Sequence, residues 1–171
     1  MMSRRGFGLA AIAAGVSSVA ILRWFGYPAQ AESNGAFEIT RTEDEWRQLL
    51  TDEQYYILRE HGTEWAGSSP LNDEKRAGTY NCAGCELPLF SSETKYDSRT
   101  GWPSFWAPLD DAIGTSEDST WLMVRTEVHC RRCGGHLGHV FEDGPPPTGL
   151  RYCMNGAAMA FVPAEGVPGA A

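Results

Sequence analysis

Two Cys-x-x-Cys pairs, Cys82/Cys85 and Cys130/Cys133, stand with 44 residues between them. Nothing else in the chain constrains the fold as much. One such pair presents two sulfurs to a single centre, and two pairs complete a tetrahedron of thiolates. A fold that satisfies them must bring two distant turns together. Gly84, Gly134 and Gly135 supply the permissive backbone that tight knuckles need. Arg131 and Arg132 lie inside the second pair, where they could offset the negative charge of a four-thiolate site. The spacing favours one structural zinc ion, Zn2+, held by Cys82, Cys85, Cys130 and Cys133. Two disulfides are the alternative in an oxidising compartment. A c-type haem site would need histidine directly after a pair, where the chain has Glu86 and Gly134. A thioredoxin-like pair would need a βαβ pattern, which is absent.

The compartment matters to that choice. Ser3-Arg4-Arg5-Gly6-Phe7 is a twin-arginine start, and Leu9 to Leu22 forms an uncharged apolar run of 14 residues. That run is short for a bilayer span and suits a signal peptide, with a retained anchor as the alternative. Ala29-Gln30-Ala31 supplies a small-x-small cleavage site and makes Glu32 the expected mature start. The expectation is export by the twin-arginine route, which carries folded proteins, to the periplasm or the outer face of the inner membrane. Without residues 1–31 the chain keeps 11 basic and 22 acidic residues, a net charge of −11. Such a body is a poor nucleic-acid binder, because phosphate contacts need Lys and Arg. A soluble monomer is expected.

After a polar linker over 32–38, the sequence predicts one domain over 39–165 and a frayed tail over 166–171. Thr42-Glu43-Asp44-Glu45 and Thr51-Asp52-Glu53-Gln54 each read as a capping box, so two short helices are expected between about 43 and 61, stopped by His61-Gly62. From Gly78 onward Gly and Pro punctuate short apolar runs. Strands are expected at Trp121 to Val128, His136 to Phe141, Leu150 to Met154 and Met159 to Pro163, with Pro145 to Gly149 as a rigid turn. The fold class is mostly β, with short helices on its N-terminal side.

Cys153 is the odd cysteine. A leftover thiol in an exported protein suggests reactivity, yet spacing alone leaves a buried inert thiol equally open. A nucleophile needs neighbours that stabilise its anion, and the nearby chain offers Arg151 and Asn155. His136 and His139 lie upstream. Three apart on a strand, they would face opposite sides unless a bulge intervenes at Gly138.

Gly101-Trp102-Pro103-Ser104-Phe105, Arg125-Thr126-Glu127-Val128, His136 to Pro145 and Arg151-Tyr152-Cys153-Met154-Asn155 together closely resemble the methionine sulfoxide reductase B family. The resemblance covers about residues 39–164, and the two knuckles match the metal-bearing members. It implies two small antiparallel sheets and reduction of the R epimer of methionine sulfoxide, mainly in oxidised proteins. It implies Cys153 as the nucleophile, passing through a sulfenic acid. Trp102 would receive the substrate methyl group, and His136, His139 and Asn155 would surround the sulfoxide oxygen, with His139 as main proton donor. Phe141 and Arg151 would complete the substrate side. One departure stands out. Many members carry a resolving cysteine two residues before that tryptophan, where this chain has Thr100. With the other four cysteines committed to zinc, regeneration would need an external thiol, either a thioredoxin-like protein or a small molecule.

Two readings of other classes compete. A non-catalytic zinc-stabilised module of the same architecture would be expected to lack the set Cys153, Asn155, His136 and His139. A Cys-His-Asn hydrolase is disfavoured because Asn155 and Cys153, two apart, would share one side of a strand instead of flanking a histidine.

Overall fold

The computed structural model describes residues 37–119 and 124–164. The expected signal peptide, most of the linker, the tail and Trp121 to Met123 lie outside the described residues. No helix among the described residues is long and apolar enough to cross a membrane.

Two helices open the domain, α1 at Glu43–Leu49 and α2 at Asp52–Glu60. Both begin with the reciprocal caps that the sequence announces. Thr42 accepts from the Glu45 amide while Glu45 reaches back to Thr42, and Thr51 and Gln54 repeat the pattern. α2 ends one residue earlier than a glycine stop would place it: His61 itself takes the left-handed conformation, with φ 55°. The helices bury Trp46, Tyr55, Ile57 and Leu58 against the sheets.

Nine strands follow among the described residues: β1 (Gly78–Cys82), β2 (Pro88–Ser91), β3 (Lys95–Tyr96), β4 (Ser104–Phe105), β5 (Ile113–Asp118), β6 (Arg125–Cys130), β7 (His136–Phe141), β8 (Arg151–Met154) and β9 (Met159–Pro163). They form two antiparallel sheets, one of three strands ordered β2-β1-β9 and one of six ordered β3-β4-β8-β7-β6-β5. The mostly β, two-sheet architecture is the expected one. β7 and β9 have the expected bounds, and Pro145 to Gly149 forms the turn before β8. β6 runs from Arg125 two residues past the expected end, to Cys130, and pairs with β5 and β7; Trp121 to Met123 of the expected strand lie outside the described residues. β1 to β5 were not anticipated.

Tyr80, Leu89, Phe90, Phe105, Val128, Leu137 and Met154 are fully buried between the layers. Phe90 and Phe105 stack at 4.4 Å, and Tyr80 meets Phe105 edge-on at 4.9 Å. Each such aromatic contributes roughly 2–3 kcal/mol by burial. Phe105 therefore anchors the two-residue strand β4, which is too short to hold itself by backbone pairing, beside β8.

Candidate active site

The register of the large sheet builds the site. Ser104 on β4 pairs with Cys153 on β8, Cys153 with His139 on β7, His139 with Glu127 on β6, and Glu127 with Ser116 on β5. Residues directly opposite across strands share a face, with Cβ atoms about 5 Å apart. One row across five strands thus carries a thiol, an imidazole and a carboxylate.

His136 joins this face through an irregularity. Val128 pairs with Gly138 but His129 pairs with His136, so β7 carries one extra residue around Leu137. The rings of His136 and His139 consequently lie 5.4 Å apart. This is the bulge that a shared face requires. Gly138 is needed there, because a Cβ would collide with the Cys153 carbonyl of the adjacent strand.

Each histidine has a carboxylate partner. His139 Nε2 lies 2.8 Å from Asp118 Oδ2, which also accepts from Arg125 at 2.6 Å. His136 Nδ1 lies 2.7 Å from Glu127 Oε1, and the other oxygen, Oε2, accepts from the Ser116 hydroxyl at 2.6 Å. Burial pushes the His139 ring below its usual pKa, and the hydrogen bond to Asp118 offsets this only in part. Burial would raise the Glu127 carboxyl, but hydrogen bonds from His136 and Ser116 outweigh it and hold it at about 2. His139 is therefore neutral near pH 7, with its proton on Nε2 facing Asp118 and a lone pair on Nδ1.

On the other flank of Cys153, Thr100 Oγ1 lies 3.7 Å from the sulfur. Thr100 and Ser104 both hydrogen-bond Ser98, at 2.8 and 2.7 Å, which fixes the loop before β4. Trp102 is half-buried and donates from Nε1 to the Glu64 carbonyl at 3.2 Å. Asn155 is buried and turned inward. Its Oδ1 accepts from the Glu64 amide at 3.1 Å, and its Nδ2 donates to the Leu137 carbonyl at 3.0 Å. Arg151 forms a two-pronged pair with Asp143, 2.8 Å on each prong, and lies over the Phe141 ring at 4.3 Å.

The four remaining cysteines converge. Cys82 and Cys133 sulfurs are 3.7 Å apart, Cys85 and Cys130 are 3.5 Å apart, and all four lie within 4.8 Å of one another. A disulfide needs about 2.05 Å. Sulfurs around a tetrahedral ion with bonds near 2.3 Å stand roughly 3.8 Å apart. The cluster therefore fits a metal and not two disulfides. Hydrogen bonding from Cys130 holds the Cys85 thiol low, as expected where thiols compete to share few protons. Arg59 and Arg132 donate to the Cys133 and Cys85 carbonyls, placing positive charge beside the cluster. Glu38 pairs with Arg131 and Arg132, and Phe37 packs on His129, so the end of the expected linker lies against the second knuckle.

A SelR domain matches residues 50–163. The chain is 54% identical over 127 residues to the peptide methionine sulfoxide reductase MsrB of Agrobacterium fabrum, covering 74% of this chain and 94% of that one. It is 54% identical over 130 residues to the Pseudomonas putida W619 protein of the same name, covering 75% and 98%. With the Methanosarcina mazei protein it shares 50% over 129 residues, covering 75% and 92%. The chain belongs to the methionine sulfoxide reductase B family.

Three residues given no role from sequence turn out to support the site of this reductase-family fold. Glu64 is buried; its carboxylate accepts from the Gly156 and Ala157 amides at 2.6 and 2.9 Å, and its backbone meets both Trp102 and Asn155. Desolvation raises its pKa, and those two amides offset part of the rise. Asp118 and Glu127 hold the histidines. Only Glu127 lay within a recognisable motif.

Proposed function

We propose that this reductase returns the R epimer of methionine sulfoxide, chiefly in oxidised proteins, to methionine through a cysteine sulfenic acid on Cys153. The carrying observation is the register that sets Cys153 opposite His139, with the Trp102 loop beside it. Neutral His139 takes the Cys153 proton on its Nδ1 lone pair, and Asp118 stabilises the imidazolium formed. The thiolate attacks the sulfoxide sulfur. Its new S–S bond breaks as the oxygen, protonated by His139, moves to Cys153 and the S–O bond to substrate breaks. The thiol proton ends on the sulfenic acid, so atoms and charge balance, and the substrate leaves as a thioether. His136 supports the oxygen from the same face, Trp102 and Phe141 offer apolar surface to the methyl group, and Asn155 and Arg151 act by positioning the loop and strand around them.

With Thr100 beside the sulfur, the sulfenic acid waits for an external thiol, thioredoxin-like or small, which displaces the sulfenic oxygen as water to form a mixed disulfide; a second thiol of the reductant then frees the Cys153 thiol and leaves the reductant as its disulfide. Zn2+ is proposed for the Cys82, Cys85, Cys130 and Cys133 cluster, where it would tie two turns together and take no part in turnover. The twin-arginine start supports export to the periplasmic side.

Turnover of each sulfoxide epimer with a small thiol donor tests the reading. The R epimer should be consumed and the S epimer should not. Cys153→Ser should lower the rate by at least about a hundredfold while leaving the fold intact, because a hydroxyl is far less nucleophilic than a thiolate. Equal rates on both epimers, or substantial activity in the serine variant, would refute it.

A further inference from the structure

A second group of ligand-type side chains lies on the histidine side. His61 Nδ1 and His136 Nδ1 approach the same oxygen, Glu127 Oε1, at 3.0 and 2.7 Å. The three ligand atoms, from the end of α2, from β6 and from β7, lie within 4.8 Å of one another. Two hydrogen bonds would account for the contacts. Four further observations point past them.

The donor set is two imidazoles and one carboxylate around one point, a combination used by divalent transition metals. His61 reaches it by adopting a left-handed φ of 55°, although Gly62 follows and would take that conformation freely. For a residue with a Cβ this costs on the order of 1 kcal/mol, a strain that persists where surrounding structure or function demands it. The carboxylate is also already fixed, since the Ser116 hydroxyl holds Oε2, as outer partners of metal ligands do. Finally, the group opens onto a cavity of about 670 Å³ whose wall adds Glu60, Glu117 and Asp118 to Glu127, against Arg125. That acidic lining raises the local concentration of cations.

We propose that His61, Glu127 and His136 form a binding site for a divalent cation of the zinc class, separate from the four-cysteine cluster, with its open coordination positions toward this cavity. Ligand bonds of about 2.0–2.1 Å in tetrahedral geometry set ligand atoms roughly 3.3–3.4 Å apart. The present contacts need spread by only about half an ångström. A cation held on Nδ1 of each ring leaves that ring's proton on Nε2. For His136, whose Nε2 is buried and has no hydrogen-bond partner among the described residues, that turns an acceptor into a donor. The cation would thereby disturb the ring that supports the sulfoxide oxygen and place positive charge beside His139. This last consequence, inhibition, rests on the proposed function; binding does not.

The test uses full-length protein carrying its own metal, titrated with Zn2+ by calorimetry, with histidine ring nitrogen shifts followed by NMR. One further ion per chain should bind, with shifts at His61 and His136. His61→Ala and Glu127→Gln should each weaken that event at least about tenfold. His61 is exposed, so the alanine variant tests the site even if the Glu127 variant folds poorly. No uptake beyond the metal already present, or uptake equally strong in the His61 variant, would overturn the site. In the rate assay, Zn2+ should slow the unmodified protein and slow His61→Ala much less, relative to each one's own metal-free rate. Binding without inhibition would overturn only the link to turnover.

Discussion

Thr100→Cys should install an internal resolving step. Thr100 Oγ1 already stands 3.7 Å from the Cys153 sulfur, so closing to a bond near 2.05 Å requires a side-chain rotation and a small loop shift. The two positions are 53 residues apart in sequence. A cross-link closing a loop of that length removes about 14 cal/mol/K of unfolded-state entropy, roughly 4 kcal/mol at room temperature. The substitution gives up the 2.8 Å hydrogen bond to Ser98, about 1 kcal/mol. The oxidised variant should therefore stand about 3 kcal/mol above the unmodified protein and about 4 kcal/mol above its own reduced form, a Tm higher by roughly 10–15 °C than that reduced form.

The assay is a single turnover with stoichiometric R-sulfoxide and no reductant. The unmodified protein should stop with one added oxygen, or a dimedone adduct, on Cys153. The variant should show neither, lose two titratable thiols, and yield a peptide pair linked through positions 100 and 153. A sulfenic acid that persists on Cys153 in the variant, or a Tm that does not depend on oxidation, would refute the placement of Thr100. A native disulfide to Cys153 in the unmodified protein would refute the reliance on an external thiol.

Asp118→Asn removes the carboxylate that raises the His139 pKa against burial, so the acid limb of the pH–rate profile should move to lower pH while the plateau falls about tenfold to a hundredfold; an unmoved limb would show that His139 is not the titrating group. Glu127 is held at about 2, below its unfolded value, so its contribution is present above about pH 4.5 and is lost as pH falls toward 2. Glu127→Gln should therefore destabilise by about 3 kcal/mol at neutral pH and by little at about pH 2, read from urea unfolding at several pH values. Replacing Cys82 with serine, or stripping the metal with a strong chelator, should lower Tm sharply and release one equivalent of metal by elemental analysis; unchanged Tm would argue against a structural ion.

What could be read from sequence divides by range. Caps are local: a threonine with an acceptor three residues on fixes a helix start wherever it occurs, and both starts were legible. β7 and β9 were legible because their apolar runs are bounded by turn residues. β3 and β4 have two residues each and exist only through their partners, so no local pattern could announce them. The extra residue in β7 was legible only as a condition, since two histidines three apart need it to share a face. Glu64 was invisible because its partners, Gly156 and Ala157, lie 92 and 93 residues away. His61 looked like a helix stop beside a glycine, and only its reach to Glu127 explains why it takes the left-handed position itself.

The four-cysteine cluster and the site are parts of one construction. Cys82 ends β1 and the turn that follows closes through its amide on the Leu87 carbonyl; Cys130 ends β6 and closes on Gly135. Each Cys-x-x-Cys pair is thus the turn of a hairpin, one from each sheet, and an ion bound by both would tie the two sheets at those ends. The second hairpin is also the one that carries the chemistry, because Glu127 lies three residues before Cys130 and His136 three residues after Cys133. The bulge that turns His136 toward Glu127 begins directly beyond that turn. If the turn loosened, the register of β6 on β7 could relax toward regular pairing, and His136 would rotate to the opposite face. On this construction the four-cysteine cluster would bear on turnover through the register of β6 on β7, without touching substrate. A metal-depleted protein that stays folded in the cold should lose the His136–Glu127 hydrogen bond before it loses the β8–β7 pairing that sets Cys153 against His139.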